Sequence, residues 1–311
     1  MAPKIVVVAG PTASGKTRLA VALAKACNGE VVSADSMQIY QKMNIGTAKP
    51  TEDEMEGIPH HMIDFLDPAQ DFSVQRYLDA TLPIMEDILA RGKLPIVAGG
   101  TGLYIDSLLV RRTFATVEHP ELRAELTQRL HEIGGEAFLE ELRTVDPDTA
   151  TRLFPNDHKR MIRALEVYRS TGTPISVHNA NSALLPPYFD PLRIGLQYQN
   201  RPDMWEVMAR RVDTMLEMGL LEEVESLRYL PKQATSMQAI GYKELRATLE
   251  GEESLTDAVE KLKIRTRQYG KRQLTWFGQN PDMNWIYLEK NGNFNSVCQK
   301  ATEFMVQAGL L

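Results

Sequence analysis

The chain has 311 residues, of which 43% are hydrophobic and 24% charged, with a formal net charge of −6. This composition is typical of a globular protein with a full core and room for a second lobe. Two cysteines are too few for a disulfide framework or a cysteine zinc site, and no apolar run approaches membrane-spanning length. The first apolar run begins after four residues, too early for a signal peptide, so we expect a cytoplasmic protein.

The first motif is a phosphate-binding loop, GPTASGKT at residues 10–17. It follows the apolar run 5–9, and a helical pattern begins at Thr17, so a strand, a glycine loop and a helix start come together. Backbone N–H groups at such a helix start bind phosphate. The alternative is a glycine turn without a ligand. We expect Lys16 on the terminal phosphates and the Thr17 hydroxyl on Mg²⁺, within a diphosphate site formed by Gly10, Thr12, Ala13, Ser14, Gly15, Lys16 and Thr17.

Strands alternate with helices in the first third of the chain. Strands are predicted at 4–9, 30–33 and 94–98, and helices at 16–27 and 73–91. This alternation predicts a parallel sheet covered on both faces, an α/β fold with a P-loop NTPase-like core. Residues 113–191 are almost entirely helical in pattern, with helices predicted at 119–132, 135–143 and 157–171. In the last of these helices Met161, Ile162, Leu165 and Tyr168 are predicted to pack inward. A strand returns at 193–198, helices follow near 202–218, 220–229, 238–249, 255–278 and 294–308, and a short strand is predicted at 285–288. We therefore predict a core formed by 1–112 and 192–311, with a helical C-terminal part, and a helical insertion domain at 113–191.

Two further predicted strands are followed by residues that could take part in catalysis or ligand binding. Asp35 and Ser36 follow the second strand, and Thr101 lies among glycines 99, 100 and 102 after the third. Ligands of open parallel sheets bind beyond the carboxyl ends of the strands, so these loops should converge with residues 10–17. Asp35 is a candidate general base, or else a polar cap. Thr101 is a candidate donor to a ligand, or else a helix N-cap.

Two motifs typical of nucleotide hydrolases are missing from the sequence, and their absence narrows the range of functions. The 94–98 strand ends without an acidic residue, and no Asn-Lys-x-Asp string follows. A motor ATPase or a GTPase switch is therefore disfavoured, and a transferase acting on a phosphorylated small molecule remains.

Basic residues cluster in two helical segments. Residues 259–273 hold six basic residues and one acidic residue, with positions 259, 262, 266, 269, 273 and 276 predicted to be buried. Basic residues also line the helix predicted at 157–171. A solvated charged face, or ion pairing with Glu166, is the alternative to binding a phosphate backbone. The basic residues in these segments that are candidates for binding a polyanion are Lys159, Arg160, Arg163, Arg265, Arg267 and Arg272.

Nine strings spread nearly end to end along the chain match one family: GPTASGKT, SADSMQIY, IGTAKP, HHMID, GGTGLY, PNDHKRMIRALEVYRSTG, GLLEEV, QAIGYKEL and TRQYGKRQLTWF. Together they resemble the bacterial tRNA dimethylallyltransferases (tRNA isopentenyltransferases). One departure is Gly278, where that family usually has Arg.

The resemblance implies transfer of a dimethylallyl group from its diphosphate to N6 of the adenine immediately 3′ of the anticodon, position 37, in tRNAs that read codons starting with U. Diphosphate would be released, and no membrane would be involved. It implies catalytic roles for Asp35, Thr101 and Lys16 with Mg²⁺ as cofactor, and we expect a monomer. The implied tRNA-binding residues are Asp35, Ser36, Met37, Gln38, Thr101, Arg123, Met161 and Ile162 besides the basic residues named above. The rivals are an adenylate isopentenyltransferase using free nucleotides, a small-molecule P-loop kinase and a non-catalytic RNA-binding protein.

Overall fold

The computed structural model describes residues 2–112, 114 and 120–311. Its centre is a sheet in which six parallel strands lie in the order β3-β2-β4-β1-β5-β6. The strands are β1 (Lys4–Ala9), β2 (Gly29–Ser33), β3 (His60–His61), β4 (Leu94–Gly99), β5 (Asp190–Tyr198) and β6 (Asn284–Leu288). The parallel α/β sheet predicted from the alternating pattern is confirmed.

The helices fall into three groups along the chain. Those before the insertion are α1 (Lys16–Ala26), α2 (Glu52–Met55), α3 (Val74–Ala90) and α4 (Gly102–Leu109). The insertion contains α5 (Pro120–Val145), α6 (Pro147–Ala150), α7 (His158–Thr171) and α8 (Ile175–Ala183). The C-terminal helices are α9 (Arg201–Glu217), α10 (Leu220–Ser226), α11 (Tyr242–Leu249), α12 (Leu255–Phe277) and α13 (Phe294–Gln307).

The chain forms two compact units, Met1–Leu109 with Pro187–Leu311, and Val110–Pro186. The sequence prediction placed these boundaries at 112/113 and 191/192. In the larger unit, Val6 and Val8 of β1 pack with Leu19 and Leu23 of α1, which hold one face of the sheet. In the smaller unit, Phe138 and Leu142 of α5 pack against α7 around a separate apolar core.

The described α5 runs through a kink at Gly134, whose φ is 78°. This explains why the sequence pattern predicted two helices, 119–132 and 135–143. Helix α8 was missed because its sequence, ISVHNANSA, has a weak apolar stripe and is rich in residues with low helix propensity. The two-residue strand β3 was also missed.

One predicted buried position on α12 is wrong. Leu262, Thr266 and Gln273 are buried as expected, but Trp276 is 43% exposed and Phe277 takes the inward position. The Trp276 indole nitrogen donates to Asp106 of α4 at 2.8 Å, which holds the ring at the surface.

A buried carboxylate lies near the start of β2, at the end of the sheet opposite the candidate site. Glu30 accepts hydrogen bonds from Arg91 at 2.5 and 2.8 Å and from Lys93 at 2.7 Å, and it contacts His61 at 2.8 Å. Its side chain is only 3% exposed. Hydrogen bonds from Arg91 are the main cause that lowers the pKa of Glu30.

Across the described ranges, none of the helices has the length and apolarity needed to cross a membrane.

Candidate active site

Three adjacent strands end at one crevice. Strands β2, β4 and β1 are neighbours in the sheet, and they lead into Asp35, the glycine-rich segment at 99–102 and the phosphate-binding loop. The Thr101 amide donates to the Ala34 carbonyl at 3.1 Å, and the Ser36 amide donates to the Thr101 hydroxyl at 3.1 Å. The structure therefore brings together the loops that the sequence pattern expected to converge.

The phosphate-binding loop is held by contacts from outside itself. The Thr12 amide donates to Gln273 Oε1 of α12 at 2.9 Å, and the Tyr198 hydroxyl donates to the Ala13 carbonyl at 2.8 Å. Gly15 has φ 80°, a left-handed conformation that favours glycine and turns the chain into α1. The N-terminus of α1 thus faces the crevice with a positive helix end, as phosphate binding requires.

Thr101 is the residue of the GGTG segment that presents a side-chain functional group. A Cβ at position 99 would lie 2.2 Å from the Ala34 carbonyl oxygen, and one at position 100 would lie 2.0 Å from Gln273 Nε2. At position 102 the Trp276 ring lies 2.2 Å from such an atom. Packing therefore requires glycine at position 99, where the contact is with backbone, and favours it at 100 and 102, where Gln273 and Trp276 would have to move. The Thr101 hydroxyl accepts from the Ser36 amide.

Asp35 is anchored by one carboxylate oxygen. Its Oδ1 accepts from the amides of Met37 at 2.8 Å and Gln38 at 3.3 Å. Among the described residues, none donates a hydrogen bond to Oδ2. The carboxylate is thus oriented by the backbone while one oxygen is available to a reactant.

Cations surround Asp35. Burial is the main cause that lowers the pKa of the Lys16 amine to about 7; the positive charge of Arg211 adds to this shift, and the charge of Asp35 opposes it. Burial also lowers the pKa of Arg211, again against the charge of Asp35. Lys16 Nζ donates to the Pro11 carbonyl at 2.7 Å. Two cations close together in a partly buried crevice create a site for a multiply charged anion.

Two cavities meet at Asp35. A cavity of about 650 Å³ is lined by the phosphate-binding loop, Gln38 and the segment 44–51. A cavity of about 270 Å³ is lined by Ser36, Met37 and Arg272 together with apolar side chains of α9, α10 and α12. Asp35, Arg211 and Tyr269 line both, so a group held in either cavity can reach the same carboxylate.

The donors around the loop suit Mg²⁺. The Thr17 hydroxyl and the carboxylates of Asp35 and Glu54 line the larger cavity, and Mg²⁺ prefers oxygen ligands. In residues 2–112, 114 and 120–311 no group of three or more His, Cys, Asp or Glu side chains could hold a metal ion. A cation at Thr17 would therefore take its other ligands from phosphate oxygens and water, which is the usual coordination of Mg²⁺.

The basic residues of α12 differ in availability. Lys261 and Lys263 are ion-paired with Glu253 and Asp213. Arg265 and Arg272 are exposed, and within the described part of the chain neither forms an ion pair. Arg272 lies over the Tyr269 ring, 5.8 Å from its centroid, and Arg267 is half-buried.

In the insertion unit, two arginines share one buried carboxylate. Arg123 donates to both oxygens of Glu166, at 2.9 and 2.8 Å, and Arg163 donates to one at 2.9 Å. The ion pairing considered as an alternative is therefore present, although 59% of the Arg123 side chain is exposed. Lys159 and Arg160 are exposed.

The Met161 side chain packs inward, as the helical spacing predicts, and its contact with tRNA stays a prediction. Met161 is fully buried in the apolar core of the insertion unit, because its position on α7 faces α5. Ile162 is half-buried and packs against the same core.

Sequence reasoning missed Arg211 and the bridging role of Gln273. Arg211 lies seven residues after buried Met204 and three after buried Met208, so it falls on the apolar stripe of α9. A basic residue on such a stripe is the signal that could have identified it. Gln273 bridges the phosphate-binding loop and the Gly100 carbonyl, to which its amide donates at 3.1 Å.

Comparisons with known proteins agree with this geometry. The family described as IPP transferase matches residues 38–280, and a second described as isopentenyl transferase matches residues 3–66. The chain is 48% identical to the tRNA dimethylallyltransferase of Caldanaerobacter subterraneus subsp. tengcongensis, over 98% of each chain.

Two solved structures are similar throughout. The full-length tRNA isopentenylpyrophosphate transferase of Bacillus halodurans has a TM-score of 0.73 at 37% identity, covering 100% of this chain and 97% of that one. A eukaryotic dimethylallyltransferase acting on tRNA has a TM-score of 0.81 at 31% identity, covering 98% of this chain and 80% of that one. The family model matches more than half of the chain, and the Caldanaerobacter relative is 48% identical over nearly its whole length. The chain therefore belongs to the IPP transferase family, whose curated relatives are tRNA dimethylallyltransferases.

Proposed function

We propose that the protein transfers the dimethylallyl group of dimethylallyl diphosphate to N6 of a tRNA adenine and releases diphosphate. The observation that carries the proposal is the position of Asp35, which lines both the cavity of the phosphate-binding loop and the cavity beside it. A base for this reaction must reach the amine of one substrate while the other lies in the phosphate site. We place the acceptor at position 37 of tRNAs that read codons starting with U, and the enzyme acts in the cytoplasm as a monomer.

The diphosphate is the leaving group. The allylic C–O bond breaks with its electron pair going to the bridging oxygen, and the developing charge falls among the loop amides, Lys16 and Arg211. Thr101 donates its hydroxyl proton in a hydrogen bond to that oxygen. Mg²⁺ held at the Thr17 hydroxyl neutralises further charge on the phosphates when it is bound. The phosphate-binding loop therefore stabilises a departing anion.

Asp35 accepts the proton of the nucleophile. The adenine N6 amine is conjugated with its ring and is a weak nucleophile. As the new C–N bond forms, one N6 proton passes to the Asp35 carboxylate, whose Oδ1 is held by two backbone amides. General base catalysis of this kind contributes roughly 10²- to 10⁴-fold. The adenine occupies the 270 Å³ cavity beside Ser36 and Met37, and at Asp35 its edge reaches the larger cavity, which Gln38 lines.

The tRNA is held by phosphate contacts and by unstacking of the target base. Arg265 and Arg272 on α12 are exposed and not ion-paired within the described residues, so both can bind phosphate. Lys159, Arg160, Arg163 and Arg123 provide a second basic surface on the insertion unit. Extruding the adenine from the anticodon loop costs a few kcal/mol, which these contacts offset.

The decisive experiment supplies dimethylallyl diphosphate labelled in its alkyl group together with Mg²⁺ and either tRNA or AMP. The proposal expects label on tRNA alone, at adenine 37 when the product is digested and mapped. Label mainly on AMP would replace the proposal with an adenylate isopentenyltransferase. Label on neither acceptor, with intact binding of both substrates, would remove the transferase activity altogether.

A further inference from the structure

The segment 44–48, here called the wall loop, lines both cavities of the candidate site. Asn44, Ile45, Thr47 and Ala48 line the larger cavity, and Gly46 and Thr47 line the smaller one. The wall loop lies outside the helices and strands, and a turn closed by the Ala48 amide on the Ile45 carbonyl at 2.9 Å gives it local order. Its position must therefore be set by contacts from elsewhere in the fold.

Glu223 of α10 supplies those contacts. Its Oε2 accepts from the amides of Asn44 at 2.8 Å and Ile45 at 2.9 Å, and its Oε1 accepts from the Gly46 amide at 3.1 Å. Three consecutive N–H groups thus point at one carboxylate, an arrangement of charge-assisted bonds that are roughly twice as strong as neutral ones.

Tyr242 of α11 completes this anchor. Its hydroxyl donates to Glu223 Oε1 at 2.5 Å, and the ring is fully buried. A Cβ at position 46 would lie 2.4 Å from that ring, so glycine is required where the wall loop crosses it. Burial and the charge of Glu223 raise the pKa of Tyr242, which keeps the phenol protonated as a donor.

The wall loop in turn orients Gln38. The Gln38 amide nitrogen donates to the carbonyls of Thr47 at 3.2 Å and Ala48 at 3.0 Å. Its Oε1 accepts from the Ser33 hydroxyl at 3.3 Å and retains a second lone pair for another donor. Displacing the two wall-loop carbonyls would therefore rotate this amide.

We propose that Glu223, supported by Tyr242, is a positioning residue that fixes the wall loop and thereby orients Gln38 to accept a hydrogen bond from the target adenine. This inference rests on the proposed function. It assigns a role to two sequence strings, GLLEEV and QAIGYKEL, that lie away from the phosphate-binding loop and from Asp35. Neither residue touches the reacting atoms, so their effect should fall on the use of tRNA and spare the binding of the diphosphate.

The principal variant is Glu223→Gln, which keeps the shape of the side chain but offers one acceptor and two donors to three N–H groups. We expect kcat/KM for tRNA to fall at least about tenfold, because small displacements of positioning groups are costly in rate. The Kd of dimethylallyl diphosphate, measured by calorimetry without tRNA, should stay within about threefold of the parent. The matched control is Glu222→Gln, an exposed neighbour on the same helix, which should behave as the parent.

A double-mutant cycle with Gln38→Ala tests the route of the effect. If Glu223 acts through Gln38, the loss caused by Glu223→Gln should shrink to about twofold in the Gln38→Ala background. Tyr242→Phe, which removes only the hydroxyl, provides a milder variant with an expected loss of about two- to fivefold and serves if Glu223→Gln does not fold.

Equal losses for tRNA and for the diphosphate, additive effects with Gln38→Ala, or parental kinetics in both Glu223→Gln and Tyr242→Phe would each overturn the positioning role. A parent enzyme that does not label tRNA would refute the proposed function itself, and the positioning role would fall with it.

Discussion

Lys16 offers a quantitative test of the phosphate-binding loop. Its pKa of about 7 means that the amine of the free enzyme is largely neutral at pH 8. A bound diphosphate would replace the repulsion from Arg211 with attraction and restore the ammonium group. Binding should therefore take up a proton, and the pH dependence of that uptake follows from the pKa of the free state.

The expected magnitude follows from the titration curve. With a free pKa of about 7, the Lys16 amine is about 91% protonated at pH 6, about 50% at pH 7 and about 9% at pH 8. If the bound group is fully protonated, uptake by Lys16 is about 0.1, 0.5 and 0.9 proton per site at these pH values. The contribution of Lys16 to affinity correspondingly weakens by nearly tenfold per pH unit above 7.

The assay is isothermal titration of dimethylallyl diphosphate, without tRNA, in buffers of different ionisation enthalpy. The slope of observed enthalpy against buffer ionisation enthalpy gives the number of protons exchanged. Lys16→Met retains the length of the side chain without its charge and reports the protons exchanged by the ligand alone. The difference between parent and variant slopes is the quantity predicted. A difference below about 0.3 proton at pH 8, or no rise between pH 6 and pH 8, would refute the coupling of Lys16 to the bound diphosphate.

Three further variants test other parts of the molecule. Asp35→Ala should lower turnover by more than about 10²-fold with little loss of tRNA affinity, measured by single-turnover labelling; near-parental turnover would exclude Asp35 as the base. Replacing Arg265 and Arg272 with Gln should reduce the slope of log affinity for tRNA against log salt by about 0.7 to 0.9 per arginine, whereas Lys261→Gln, already ion-paired, should change it less. Glu30→Gln should destabilise the fold by roughly 2 kcal/mol in urea unfolding at pH 7, since a neutral amide replaces the buried carboxylate that Arg91, Lys93 and His61 contact. Because the folded pKa of Glu30 is lowered, its contribution is present above the unfolded value near 4.5 and is lost as pH falls, so the stabilities of parent and variant should converge in acid.

Much of the fold could be predicted from the sequence because local signals and topology agreed. The apolar runs and the 3.6-residue periodicities predicted five of the six strands and the long helices, and the alternation of the two predicted the parallel sheet. The convergence of residues 10–17, 35 and 101 followed from one rule about parallel strands. Strand β3 could not be predicted in this way, because two histidines carry no periodicity and pair with β2 only through the tertiary fold.

The site residues on the C-terminal helices were harder to predict. Arg211, Glu223 and Tyr242 lie in ordinary amphipathic helices. Glu223 accepts from backbone groups 177 to 179 positions away and Arg211 acts on Lys16 near the start of the chain, whereas Tyr242 meets Glu223 19 positions away. Charge and periodicity assign such residues to a solvated face or to a core, and only the packed structure shows which backbone groups they meet. On α7, by contrast, the helical spacing alone predicted that Met161 and Leu165 pack inward, and both are buried.

The tight packing around the GGTG segment explains why this P-loop fold performs group transfer without the acidic residue that ATPases carry after the neighbouring strand. A carboxylate at position 99 or 100 would collide with the Ala34 backbone or with Gln273, so β4 cannot end in an acid. The acid is instead Asp35 at the end of β2, where two backbone amides fix one oxygen and leave the other facing the cavities. After β4, the Thr101 hydroxyl lies against the Ser36 amide, and a hydroxyl can donate to a departing oxygen where a carboxylate would repel it. In the proposed mechanism, this packing leaves Thr101 as the donor to the leaving group and Asp35 as the base for the nucleophile.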